Sequence, residues 1–161
     1  MLRKILLVLL VILVIIQFFR PGRNKTEEAQ PHFIGTAHTV PVNVHVILKK
    51  ACFDCHSNNT YYPWYSNIQP FGWWLAAHVN DGKKELNFDE YTNKRLRFQY
   101  HKMEEVEEVI NDAGMPLESY TWMHRDADLT ASEKNTLVNW SLAVRKSMEA
   151  IHPMDSLVRK N

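Results

Sequence analysis

ACFDCHSNNTYYPWYSNIQPFGWW, residues 51–74, is the stretch on which the interpretation of this chain depends. It contains both cysteines of the protein, Cys52 and Cys55, and His56 follows the second cysteine directly. Seven aromatic residues come just after this turn, between positions 61 and 74. Because thiol and imidazole side chains bind and react while large aromatic side chains build apolar walls, the segment predicts a binding site together with its support.

Length and charge limit the classes of protein to consider. The chain has 161 residues, which favours one domain with short appendages. Its formal net charge is +1, so the protein lacks the basic field that nucleic acids attract, and we expect no nucleic-acid partner. From Thr26 onward, 14 Lys and Arg residues stand against 18 Asp and Glu residues, a net charge of about −4 for this part.

The chain opens with an apolar run, ILLVLLVILVIIQFF, from Ile5 to Phe19. This length is at the short end for a bilayer core of about 30 Å. Arg20 and Pro21 follow the run and make a poor signal-cleavage site. We therefore predict an uncleaved transmembrane helix within an N-terminal membrane anchor, residues 1–23. A cleaved signal peptide and a buried core helix are the alternatives. A polar linker over 24–36, a main domain over 37–150 and a tail over 151–161 complete the predicted division.

Beyond the apolar run, the patterns predict helices separated by long loops. Helical periodicity extends through VNVHVILKKACFDCH, WWLAAHVNDGKKEL and FDEYTNKRLRFQYHKMEEVEEVINDAG, and Gly114 is a suitable stop for the third. The last helix opens with Thr130 and Glu133 in a capping box. Its core stripe is Leu137, Trp140, Val144 and Met148. No segment alternates as a strand does, so we predict a mostly α fold, a small helical domain with long ordered loops.

Cys52-Phe53-Asp54-Cys55-His56 matches C-x-x-C-H, the motif that attaches c-type haem. Two thiols one turn apart can reach the two vinyl groups of a porphyrin, and the next residue can then bind iron from below. The second ring nitrogen of His56 would need an acceptor, such as a backbone carbonyl. A thiol–disulfide site lacks its usual strand and βαβ context, and a zinc site would be unusual with adjacent Cys and His ligands. Both remain alternatives.

The second iron ligand is expected to be Met115. It lies between two predicted helices, and Pro116 restricts its backbone, so the loop can present a thioether stiffly. His78 is the alternative, and Met123 or His124 could substitute. Met103 and Met148 lie on helical stripes and are expected in the core. The aromatic side chains expected to wall the cofactor pocket include Trp64, Tyr65 and Trp73, although some of them could be ordinary core residues.

Three segments, CHSNNTYYPWYSNIQP, HVNDGKKELNFDEY and GMPLESYTWMHRDADLTASEKNTLVNW, resemble the bacterial haem-binding domain family. The resemblance extends over about residues 35–146. It implies a membrane-anchored protein with a single c-type haem, held by Cys52 and Cys55, with His56 as the proximal ligand. It also places Met115 at the position of the family's Met-Pro, and it implies a cytochrome c-like small helical domain with long ordered loops around one haem.

These expectations favour an electron carrier over an enzyme. One covalent haem c, with iron bound on both faces, leaves no position for a substrate, so we predict periplasmic electron transfer to a redox partner protein at or near the membrane. A haem sensor or peroxidase-like protein with an open distal position is the alternative. Covalent attachment of haem takes place outside the bacterial cytoplasmic membrane. We therefore predict a single-pass inner-membrane protein with its haem domain on the periplasmic side.

Overall fold

In a computed structural model that describes residues 1–159, helices dominate and no strand is present within that range. This confirms the prediction of a mostly α chain. Four short 3-10 helices, at Ile34–Thr36, Trp64–Asn67, Phe88–Asn93 and Arg125–Ala127, lie in the connections. The α-helices are α1 (Leu2–Ile16), α2 (Val42–Ala51), α3 (Phe53–His56), α4 (Phe71–Glu85), α5 (Leu96–Asn111), α6 (Glu118–Met123), α7 (Ala131–Ile151) and α8 (Met154–Leu157).

The predicted transmembrane helix is wrong. Helix α1 has 15 residues, and at about 1.5 Å per residue it is shorter than a bilayer core. No helix within residues 1–159 combines the length and the apolar character needed to cross a membrane. This finding also contradicts the predicted location as a single-pass protein of the inner membrane. The apolar run extends to Phe19 in the sequence, whereas the helix itself ends at Ile16. There the Gln17 side chain accepts from the Gln69 N–H at 2.8 Å and donates to its carbonyl at 3.1 Å.

The core lies between α5, α7 and the helices that pack on this pair. The capping box at the start of α7 is present: the Thr130 hydroxyl accepts from the Glu133 N–H, and the Glu133 carboxylate accepts from the Thr130 N–H. The predicted stripe of α7 is buried throughout, as are residues of α2 and α5 that face it. Burial of this apolar face, at roughly 25 cal/mol per Å², is the main favourable term holding the helices together.

The packed domain also draws residues from both predicted appendages. Ile34, from the segment predicted as a linker, is fully buried in the core, and Leu157 of α8 is 1 % exposed. The boundaries at 23, 36 and 150 remain predictions, but the buried core extends past two of them. Close to the predicted linker, the Trp140 indole N–H of α7 donates to the Thr39 carbonyl at 3.1 Å.

Helix α5 ends differently from the sequence expectation. Gly114 was expected to stop the helix, but Ala113 takes the left-handed conformation, with a φ of 55°, and no glycine has a positive φ within the described chain. The N–H groups of Gly114 and Met115 then donate to the Val109 carbonyl at 2.8 and 3.2 Å. The turn therefore supplies hydrogen-bond donors to a carbonyl near the end of α5, although the left-handed residue is an alanine and not a glycine.

Exchanging the residue types at this turn tests the assignment. Ala113→Gly should raise the free energy of unfolding by about 1 kcal/mol, because glycine enters the left-handed region without a Cβ clash. Gly114→Ala should be tolerated, since its Cβ would meet the Val109 carbonyl oxygen at an ordinary 3.6 Å. Denaturant unfolding of both variants gives the measurement. A clear loss of stability in Gly114→Ala with no gain in Ala113→Gly would contradict the structure.

An ion pair between α2 and α7 makes part of the stability depend on pH. Lys50 Nζ lies 2.6 Å from Glu133 Oε1, and this bond together with the Thr130 N–H lowers the pKa of the Glu133 carboxyl. A folded-state pKa below the unfolded value means that the contribution is present above the ordinary glutamate pKa. It is lost as the pH falls through the lowered folded-state value.

Glu133→Gln should therefore cost about 0.5–1 kcal/mol near neutral pH, the range of a partly exposed ion pair, while the glutamine still accepts from the Thr130 N–H. The difference from wild type should shrink below the ordinary glutamate pKa and vanish below the lowered folded-state pKa of Glu133. Unfolding free energies measured from acidic to neutral pH check this. A difference that stays constant with pH would show that the charge of Glu133 contributes nothing.

Candidate functional site

The C-x-x-C-H segment forms one short helical turn. Cys52 ends α2 with a φ of −128°, and α3 starts at the next residue. The Cys52 carbonyl accepts from the N–H groups of Cys55 and His56 at 3.1 and 2.9 Å. This single turn brings both cysteines and His56 onto the wall of one cavity.

The cavity measures about 470 Å³, within the range of ligand pockets. The turn of α3 contributes to its wall, and α4, α5 and the loop after α5 contribute much of the rest. Val109 of α5 is 36 % exposed because its side chain faces this cavity and not the core. The apolar members of the wall are Leu48, Ala51, Leu86, Phe88, Val106, Val109, Ile110, Met115, Pro116, Leu117 and Leu137.

His56 is held in one orientation and one tautomer. Its Nδ1 lies 2.8 Å from the carbonyl oxygen of Leu86, and since a carbonyl only accepts, Nδ1 carries the proton. Burial lowers the pKa of His56, while the nearby Leu86 and Gly82 carbonyls act in the opposite direction. The imidazole is therefore neutral with an unprotonated Nε2, the form that binds a metal. The structure supplies the backbone acceptor that the sequence interpretation required.

Both cysteines are free thiols in the structure. Burial is the largest cause that raises the pKa of Cys52 to about 12 and of Cys55 to about 11, and mutual repulsion or the Asp54 carboxylate adds to it. Both groups are therefore protonated near neutral pH. Low thiolate content argues against a reactive dithiol of the thioredoxin kind, whose attacking cysteine has a lowered pKa. Within residues 1–159, no three His, Cys, Asp or Glu side chains are placed to hold a metal ion.

Two of the predicted distal ligands line the same cavity as the cysteines. Met115 is half-buried there, at the end of the loop that follows Ala113, and the Met115–Pro116 peptide is cis. His78 of α4 also lines the cavity, with its Nδ1 2.9 Å from the Trp74 carbonyl oxygen and its ring against the Trp74 ring. The structure therefore leaves both in place as candidates.

The other methionines and histidines considered lie elsewhere. Met103 and Met148 are buried in the core, as expected. Met123 is 49 % exposed and is not part of the cavity wall. His124 is also outside the wall, and its Nε2 lies 2.8 Å from the Tyr65 hydroxyl, so that nitrogen is already engaged.

The aromatic segment does not build the cavity. Trp64 is 75 % exposed, Trp73 is 39 % exposed, and Tyr65 is buried, but none of the three lines the wall. Trp73 instead donates from its indole N–H to the Phe19 carbonyl at 2.6 Å. Their place beside the cofactor remains a prediction that this geometry does not favour.

Sequence reasoning missed polar residues of the wall. Tyr120 lines the cavity, and its hydroxyl donates to Asp54 Oδ2 at 2.8 Å. Burial raises the pKa of Tyr120 well above its usual range, with the Asp54 carboxylate adding to the effect, so this hydroxyl remains a donor. Lys102 is another wall residue that the sequence interpretation did not predict. Its side chain is 11 % exposed and lies beside Glu85 and Glu105. Its position among the apolar residues of α5 was the signal, because burying a lysine requires charged partners.

These residues fit a haem. The wall is largely apolar, as the flat face of a porphyrin requires, and two protonated thiols lie at one part of it. A neutral imidazole with an open Nε2 and a thioether from a separate loop complete a donor set that haem iron accepts.

Gly82 allows α4 to approach α3 closely enough to form the wall. A Cβ on Gly82 would lie 2.7 Å from the carbonyl oxygen of Cys55 and 2.9 Å from its Cβ. Alanine would favour an isolated helix by about 1 kcal/mol at this position. The clash with the rigid Cys55 backbone outweighs this gain, so an alanine at position 82 should destabilise the fold.

Gly82→Ala should lower the free energy of unfolding by about 1–3 kcal/mol, the range of overpacking, and should reduce haem retention because the cysteine turn shifts. Gly22→Ala is the matched control, since nothing lies within 4 Å of a Cβ there. Chemical denaturation and the haem-to-protein absorbance ratio measure the two effects. Equal stability and haem content in both variants would show that the close approach is not needed.

Comparison with known proteins identifies the family. A family model described as a haem-binding domain matches residues 11–143, which include the whole cavity wall and confirm the resemblance seen in the sequence. Neither the curated proteins nor the solved structures give a match. With the match extending over most of its length, this chain belongs to the haem-binding domain family and binds haem.

Proposed function

We propose that the protein carries one haem c, attached through Cys52 and Cys55, with His56 as the proximal iron ligand. Each thiol adds across one vinyl group: the sulfur bonds to one vinyl carbon, the thiol hydrogen goes to the other, and no oxidant or reductant is consumed. The observation that carries the proposal is the single cavity lined by both thiols and by His56. The hydrogen bond to Leu86 turns the open Nε2 of His56 away from that carbonyl and leaves it available to iron.

Met115 is proposed as the distal ligand, with His78 as the alternative. The left-handed turn at Ala113 redirects the chain after α5, and the Val109 carbonyl holds the Met115 N–H. A thioether favours Fe(II) over Fe(III), so Met115 should raise the reduction potential relative to a second histidine. The apolar wall acts in the same direction by excluding water.

Electron transfer is the function that this arrangement supports best. Bound haem supplies a one-electron couple at its iron. The chain contributes two side chains that can fill both axial positions, and a wall that keeps water and substrate from the iron. The haem sensor or peroxidase-like alternative would need the distal position to be open.

The partner is proposed to be a redox protein with a basic face. Asp54, Asp81, Glu85 and Glu105 outnumber the one lysine of the cavity wall, Lys102. Three neighbouring glutamates of α5 are already paired with cations. Arg145 binds Glu104 and Glu107, and Lys102 binds Glu105. The cavity wall still carries more acidic than basic residues, and complementary charge on a basic partner would steer that partner toward the haem.

Mass and optical spectra of protein made with and without a cytochrome c maturation system test the attachment. The matured protein should gain the mass of one haem and keep its colour after denaturation and extraction. Cys52→Ala and Cys55→Ala should each leave at most one thioether bond, and the double variant should lose all haem on extraction. A matured protein with the mass of the bare chain would overturn the covalent proposal.

Replacement of the two distal candidates decides between them. Met115→Ala should remove the Met–Fe(III) charge-transfer band, give a high-spin ferric spectrum and lower the reduction potential, while His78→Ala should change none of these. Both variants should bind haem covalently, because the thiols and His56 are untouched. The opposite pattern would assign His78, and a wild-type protein that binds CO readily when reduced would favour the sensor or peroxidase-like function.

A further inference from the structure

A hydrogen bond joins the loop of the distal methionine to the turn that holds the two cysteines. The Tyr120 hydroxyl, on α6, donates to Asp54 Oδ2 at 2.8 Å, and Asp54 lies between Cys52 and Cys55 in the motif. Tyr120 follows Met115 by only five positions and lines the same cavity. The two sides of the expected haem are therefore linked through one pair of side chains.

Asp54 is a fixed point for this bond. Its other carboxylate oxygen, Oδ1, accepts from the Tyr61 N–H at 2.9 Å, and its backbone carbonyl accepts from the Thr60 hydroxyl at 2.6 Å. Since Asp54 also belongs to the single turn of α3, neither its backbone nor its carboxylate can move without breaking other bonds. Movement at this contact must therefore come from Tyr120 and its loop.

Besides the packing of Met115 and Tyr120 against the core, the Met115 loop is held near its two ends. At its start, the Val109 carbonyl holds the Gly114 and Met115 N–H groups. After Pro116, α6 has only six residues, and it leaves Trp122 71 % exposed and Met123 49 % exposed. The Tyr120 ring stacks on the His124 ring at 4.4 Å, and His124 pairs with the buried Tyr65 hydroxyl at 2.8 Å. The contacts of Tyr120 and His124 thus hold the far end of the loop.

We infer that the Tyr120–Asp54 hydrogen bond is a latch that holds Met115 over the cavity, and that its loss opens the distal side of the iron to a small diatomic ligand. Tyr120 and Asp54 act here as positioning residues, through Met115. The inference rests on the proposed function, with haem in the cavity and Met115 on its iron. It adds that the strength of one hydrogen bond sets the fraction of protein able to bind such a ligand.

The test uses the haem-loaded full chain and carbon monoxide as the probe. Tyr120→Phe keeps the ring and its stacking on His124 but removes the donor. Losing a hydrogen bond to a carboxylate should raise the open fraction, and with it the rate of CO binding to the reduced protein, by at least about tenfold. A new high-spin component and a weaker Met–Fe(III) band should accompany the change.

Tyr91→Phe is the matched control. Tyr91 is fully buried, and its hydroxyl donates to the Gln99 carbonyl at 2.8 Å, but it does not line the cavity. This variant also loses a hydrogen bond, so it reports what general destabilisation does. CO binding at the wild-type rate in Tyr91→Phe, together with faster binding in Tyr120→Phe, supports the latch. Equal acceleration in both variants would overturn it.

A double variant tests whether Tyr120 acts through Met115. Met115→Ala alone should give the fastest CO binding, and adding Tyr120→Phe should produce no further increase, because the group that the latch holds is already absent. A further increase in the double variant would overturn the latch. If Met115→Ala itself leaves CO binding unchanged, Met115 is not the distal ligand, and the proposed function fails at that point. If CO binding is fast in Met115→Ala but stays at the wild-type rate in Tyr120→Phe, the latch is refuted while the assignment of Met115 as distal ligand stands.

Asp54→Asn provides the same test from the other side should Tyr120→Phe not accumulate with haem. Asparagine keeps the size of the side chain and still offers an oxygen to Tyr120, but a neutral acceptor makes a weaker bond than a carboxylate. Its CO binding rate should lie between those of wild type and Met115→Ala. A wild-type rate in Asp54→Asn would overturn the proposal.

Discussion

The close contact between the cysteine turn and α4 is the constraint on which the rest of the site depends. Gly82 lets the backbone of α4 approach the Cys55 carbonyl, and the same approach brings the chain after α4 to where the Leu86 carbonyl accepts from His56. Without that carbonyl the imidazole would have neither a fixed tautomer nor a fixed direction. The lack of a Cβ at Gly82 therefore fixes the tautomer and the orientation of His56, the residue expected to bind iron.

The electrostatics of the cavity are set by partial pairing. Burial keeps the thiols protonated and His56 neutral, so the donor set carries no charge of its own. Lys102 is buried between Glu85 and Glu105, an arrangement in which each charge makes the burial of the other less costly. The acidic groups left over give the wall a net negative character, which would oppose the effect of a thioether ligand by favouring the more positive iron.

The aromatic segment lies outside the cavity wall, although its composition favoured a place in that wall. Large rings beside a cofactor motif are typical of pocket walls, yet here they serve the connections. Tyr62 accepts from the Asn24 N–H, Trp73 binds the Phe19 carbonyl, and Tyr65 pairs with His124. Apolar residues of α2, of α5 and of the loop after α5 supply most of the apolar wall instead. A helix can present such residues to a cavity with the same spacing that it uses for a core, and periodicity does not separate the two.

Local features were determined by the sequence alone. The adjacency of two thiols and an imidazole, the capping box of α7 and the core stripe along that helix each depend on residues a few positions apart, so spacing was enough to predict them. Three things depended on tertiary structure: the end of α1 at Ile16, the assignment of the left-handed turn to Ala113, and the meeting of Tyr120 with Asp54 across 66 positions. The first and the third result from contacts between distant segments, Gln17 with Gln69 and Tyr120 with Asp54, and no local pattern records which distant segment a residue will meet. Ala113 and Gly114 are neighbours, and spacing alone does not decide which of the two takes the left-handed conformation.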